Sequence, residues 1–254
     1  MSNGTMTTAM LLSLVMGFSI FLSFPLTRKG NLKRSLSIFL VSGAIGILIF
    51  LIADVFSDVS SLIYPQNQYV SNIRLSFLFA ISVLLIFILL YYLENSRISR
   101  VGNDAGKQTR IATIVAVGMG LQNLTEGLVF GSTYSIGLTG LILVILIGFV
   151  LQNFTEGFPI ASPFLGNPKE RSGLIALLYF IGGFPTVIGT LIGLFYFSSL
   201  FVVAFDGLAI GAIVFVLIPM IRTVFKQAEA GSLTGYVYSG ILIGFIIGFM
   251  VNAI

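Results

Sequence analysis

No cysteine, no histidine and no tryptophan occurs anywhere in these 254 residues. Without cysteine there is no disulfide and no thiolate ligand or nucleophile. Without histidine, Ser–His and Cys–His nucleophile pairs and the zinc-hydrolase ligand set are excluded. Charge is scarce as well: 9% of residues are Asp, Glu, Lys or Arg, against about 25% in a soluble domain. A water-soluble fold is therefore excluded. The sequence also lacks the alternating segments of about ten residues that a membrane β-barrel requires. A Gly-rich run ends in Gly106-Lys107, but its spacing is short and Gln108 stands where a phosphate-binding loop needs Ser or Thr.

What is present is apolar. Hydrophobic residues make up 57% of the chain and the mean hydropathy is +1.07. Runs long enough to cross a bilayer as helices, about 20 residues each, recur along the whole length. They predict eight spans: 6–26, 35–57, 73–94, 111–134, 137–160, 172–197, 200–223 and 232–253. Nothing remains for a soluble domain, so residues 1–254 read as one polytopic all-α membrane domain. The 24 phenylalanines fit lipid-facing packing and mark no site.

Basic residues orient the bundle. Arg28, Lys29, Lys33 and Arg34 follow span one, and Arg97, Arg100, Lys107 and Arg110 follow span three. Lys169 and Arg171 follow span five, Arg222 and Lys226 follow span seven, and Arg74 alone lies on the other side. By the positive-inside rule this predicts both termini extracellular in a multi-pass cell-membrane protein. The formal charge of +4 is thus a topology signal and not a nucleic-acid footprint. The bilayer is the expected partner, with a homodimer as a candidate assembly. The N-terminal segment has no basic n-region and no small-residue cleavage site, so a removable signal peptide is not expected.

One six-residue word occurs twice: QNLTEG at 122–127 and QNFTEG at 152–157. Both copies contain a glycosylation sequon, at Asn123 and Asn153, that mid-membrane placement would keep from modification; Asn3 begins a third. The copies fall on spans four and five, which run in opposite directions, as in an inverted repeat with its site at the interface of the halves. Three spans before the pair and three after it predict a 3+2+3 arrangement. On a helix, Gln122, Asn123 and Glu126 share one arc, and so do Gln152, Asn153 and Glu156. Gly127 and Gly157 leave room for close backbone approach beside each glutamate.

Two carboxylates facing each other in hydrocarbon are costly and mutually repulsive. No Lys or Arg lies at that depth to pair with them. A divalent cation would neutralise both and use the amide oxygens. The competing reading, interhelical hydrogen bonding as structural glue, is weakened because each copy of the word carries a Glu. Asp54 and Asp58 at the outer end of span two would raise local cation concentration. Asp206, about two turns into span seven, extends that ion pathway. Met119, one turn before Gln122, is a candidate thioether ligand or a packing residue.

With these words in place, the chain resembles the Zrt/Irt-like (ZIP) family of divalent-metal transporters. The resemblance covers the eight-span layout, the outside termini and the motif helices four and five, where the family carries a word like H-N-x-x-E-G and a partner word. It implies a binuclear centre, with Gln122, Glu126, Gln152 and Glu156 at one subsite. Asn123, Glu126, Asn153 and Glu156 would form the neighbouring subsite, with the glutamates bridging. It also implies transport of Zn2+, Fe2+ or Mn2+ toward the cytoplasm, with no further cofactor and no enzymatic activity. The chain departs from the family at Gln122, which replaces His. It lacks the acidic residues around the span-seven proline, where Val216, Leu217 and Met220 stand, and the span-six Glu, where Pro185 or Thr186 stands. An oxygen-only donor set suits harder ions such as manganese, while affinity still rises toward the later metals. A metal-sensing or scaffold membrane protein is the alternative, and an intramembrane carboxylate enzyme is a more distant one.

Overall fold

The computed structural model of the chain describes residues 3–27, 33–64, 72–95, 104–135, 139–164, 171–229 and 232–252. Helix α1 (Asn3–Phe18) continues through a 3-10 stretch (Ser19–Ser23) and a closing turn (Phe24–Thr27). It is followed by α2 (Arg34–Ile63), α3 (Ile73–Asn95), α4 (Asp104–Ser135) and α5 (Thr139–Ala161). The remainder is α6 (Ser172–Gly183), α7 (Pro185–Gly193), α8 (Ser199–Glu229) and α9 (Thr234–Asn252). Among the described residues there is no strand. Hydrocarbon offers no partner for a backbone N–H or C=O, so each apolar run closes its own hydrogen bonds as a helix.

Seven helical segments are long and apolar enough to cross a membrane: Met6–Thr27, Arg34–Ile63, Ile73–Tyr92, Gly106–Ser135, Ser172–Gly193, Ser199–Glu229 and Thr234–Val251. Helix α5, of 23 residues, packs in the same bundle. Three helices exceed the hydropathy-based spans: α2, α4 and α8 have 30, 32 and 31 residues. Hydropathy marks only the stretch that tolerates lipid, whereas the helix continues for as long as its backbone bonds do. Lys107 and Arg110, expected in a loop, therefore ride on α4. Arg28, Lys29, Arg97, Arg100, Lys169 and residues 65–71 lie outside the described residues.

The sixth predicted span, 172–197, is two helices that meet at Phe184 and end at Gly193. Pro185 has no N–H to give the Ile181 carbonyl and its ring disfavours a straight helix, so the segment breaks there. Proline also lies inside α5 (Pro159) and α8 (Pro219).

Helix α4 is the centre of the bundle. In its most apolar stretch 72% of residues are buried, against 11% for α3 and 22% for α9. It packs against α5, α6, α7 and α8, while α9 lies along α2 and α3 along α8. Small residues set the closest of these approaches. Gly127 and Gly131 on α4 meet the α7 backbone at Thr186 and Thr190, and Gly189 and Gly193 meet the α4 backbone at Leu124 and Leu128. A side chain at any of the four would strike main chain, which is how glycine-spaced membrane helices interlock.

Candidate metal-ion site

Both copies of the repeated word lie in the buried interior, on antiparallel neighbours α4 and α5. Their six polar side chains converge. Gln152 donates from Nε2 to Glu126 Oε1 and, at 3.3 Å, to Glu156 Oε1, so one amide links the two carboxylates. Gln122 Nε2 also donates to Glu126 Oε1. Asn123 Nδ2 faces three oxygens: Asn153 Oδ1 at 2.8 Å, Glu156 Oε2 at 3.1 Å and the Gly182 carbonyl at 3.0 Å. The expected convergence of Gln122, Asn123, Glu126, Gln152, Asn153 and Glu156 is therefore present in the geometry.

The two words are not used alike. Glu156 accepts at both oxygens, and Asn153 Nδ2 donates to the Phe149 carbonyl at 3.0 Å. On α4, by contrast, Gln122 Oε1, Asn123 Oδ1 and Glu126 Oε2 are buried without a hydrogen-bond partner. Unpaired buried acceptors are costly and uncommon. All three are oxygens, and a cation satisfies oxygens where a further N–H is lacking. The donor set therefore fits a hard or borderline divalent ion. Among the described residues no group of three His, Cys, Asp or Glu could hold a metal ion. A cation here would take at most two carboxylates and complete its shell with amide or backbone oxygens.

The expected ion-pathway residues connect to this centre unequally. Asp206, 3% exposed on α8, accepts a hydrogen bond at 2.6 Å from Thr125 of the first word. Thr155, its counterpart in the second word, donates only to Gln152 O of its own helix, at 2.7 Å. Asp54 is half-buried and Asp58 exposed on α2. Met119 is fully buried in the apolar core with Ile20, Ile45 and Ile213.

Three further participants come from α6 and α7, of which the sequence marks only Thr186, as a departure from the family's span-six Glu. The Gly182 carbonyl enters the centre through α6, just before the break at Phe184. Thr186 Oγ1, immediately after that break, is a fourth buried atom without a partner. Tyr179 donates to the Gly157 carbonyl at 2.8 Å and accepts from Ser23 at 3.0 Å, pinning the end of the second word to the 3-10 stretch that follows α1. A tyrosine inside GLIALLYFIGG has no feature to distinguish it from lipid-facing aromatics; only the α5–α6 contact reveals its role.

Comparison with known protein families and with curated proteins returns no match for the chain.

Proposed function

We propose that the chain is a divalent metal-ion transporter of the ZIP kind, carrying Mn2+, Zn2+ or Fe2+ across the cell membrane toward the cytoplasm. The carrying observation is the pair Glu126 and Glu156 on antiparallel helices, linked by one Gln152 amide, with unpaired buried oxygens on Glu126 itself and on Gln122 and Asn123. Intramembrane carboxylates without a basic partner mark ion pathways. Thr125 to Asp206 joins the centre to α8, and Asp54 and Asp58, one turn apart on α2, extend the acidic path.

The eight-span, 3+2+3 reading with outside termini draws support from how the helices pair. The pairing of α9 with α2 corresponds to that of α3 with α8, and the pairing of α6–α7 with α4 corresponds to that of α1 with α5. Exchanging the first three spans with the last three, and the fourth with the fifth, maps each pairing onto its counterpart. An inverted repeat produces that correspondence.

Uptake of Mn2+, Zn2+ and Fe2+ into proteoliposomes tests the proposal. Wild type should show uptake that Glu126→Gln lacks. Binding without uptake would favour the sensing or scaffold alternative, and neither binding nor uptake would refute a metal role.

A further inference from the structure

We propose that the site seats a single divalent ion on the free oxygens of the first word, and that the Asn123 amide nitrogen occupies the position of a second ion. The inference deepens the cation-transport reading and rests on it. Asn123 Nδ2 lies among Asn153 Oδ1 at 2.8 Å, Gly182 O at 3.0 Å and Glu156 Oε2 at 3.1 Å. Three oxygens from two helices around one point, one of them from a carboxylate, form a cation's donor set. An N–H pair fills it.

The orientation of that amide follows from chemistry. The Gly182 carbonyl can only accept. Asn153 commits its own Nδ2 to the Phe149 carbonyl, which turns Oδ1 toward Asn123. Reversing the Asn123 amide would set an oxygen against the Gly182 and Asn153 oxygens in place of their donor. Its Oδ1 therefore faces away and joins Gln122 Oε1 and Glu126 Oε2 among the unpaired acceptors, all on α4.

Charge points the same way. Glu126 and Glu156 together offset one M2+. A second ion would leave an excess of two positive charges in a buried centre, where even one is costly, and would have to displace Nδ2 from all three oxygens. The third nearby carboxylate, Asp206, is bound to the Thr125 hydroxyl.

The test is a metal count. Purified chain in nanodiscs is equilibrated with Mn2+ or Zn2+, passed through gel filtration and assayed for metal per protein, with Glu126→Gln as the baseline. Wild type should retain one ion, Asn123→Asp two, and Asn123→Ala, which loses one of the three free oxygens, no more than one. Asp places a carboxylate oxygen where the nitrogen stood, which only a cation offsets. Two ions on wild type, falling to one in Asn123→Ala, would overturn the inference and leave the transport reading intact. A single ion on folded Asn123→Asp would also overturn it. No ion on wild type would remove the cation site itself and the inference with it. Should Asn123→Asp fail to fold, the wild-type and Asn123→Ala counts decide.

Discussion

QNLTEG on α4 and QNFTEG on α5 differ in one residue, yet the fold pairs their buried oxygens differently. The α5 copy is hydrogen-bonded: Glu156 is held at both oxygens and Asn153 is anchored to its own helix at Phe149. The α4 copy is frustrated, with Gln122, Asn123 and Glu126 each keeping an unpaired oxygen. Identical local chemistry does not make identical sites. The neighbours brought by α6, α7 and α8 determine which copy keeps buried oxygens unpaired and which has them hydrogen-bonded.

The comparison is broken most directly at the glutamates. Glu126→Gln should reduce metal uptake by more than about 100-fold. Glu156→Gln, which removes a carboxylate already engaged by two amides, should fall within the ~10–100-fold range typical of supporting groups around a metal. Initial uptake rates in proteoliposomes measure both. Equal losses would mean that the two words share the ion evenly.

The glycines that close each word should also differ. A Cβ at Gly127 would strike the Thr186 and Thr190 backbone, whereas one at Gly157 would meet the Ser23 side chain first and the Ile20 carbonyl only at 3.0 Å. Gly127→Ala should cost about 3 kcal/mol, at the upper end of overpacking, and Gly157→Ala about 2 kcal/mol. The order of thermal midpoints in one detergent checks this.

Threonine gives a third contrast. Thr125→Val leaves the buried Asp206 without its donor and should cost about 2 kcal/mol, within the range for a stranded acceptor. Thr155→Val loses only a bond to its own helix, worth about 0.5 kcal/mol. Denaturation of the two variants side by side would show whether the α4–α8 link matters.

The smallest effect concerns selectivity. Gln122→His adds an imidazole nitrogen beside an unpaired carboxylate oxygen and should shift preference toward zinc over manganese by about tenfold, or 1.4 kcal/mol. A histidine binds metal only when neutral, so the gain should be present above about pH 6.5 and lost below it. Competitive uptake across a pH series measures both, and an unchanged ratio would remove Gln122 from the ion's shell.

Much of this was legible in the letters, for reasons that can be named. Gln, Asn and Glu are so costly in hydrocarbon that their repetition at 122–126 and 152–156 stands out against apolar runs. Gly127 and Gly157, closing the two words, are equally plain packing signals. They announce close helix contact, though not with which helix. The break at Phe184 is foreshadowed by Pro185, but its consequence, a Gly182 carbonyl delivered to Asn123, is not.

Composition and periodicity alone determined that this is a helical membrane protein and where its intramembrane polar groups lie. Both follow from one-dimensional costs: backbone polarity in lipid and side-chain charge in hydrocarbon. Only the tertiary structure decided which of two nearly identical words keeps free oxygens, which way the Asn123 amide turns and that Thr125 holds Asp206. Hydrogen-bond satisfaction is a property of pairs. Half of each pair here comes from a helix far away in the chain, and no local pattern carries that information.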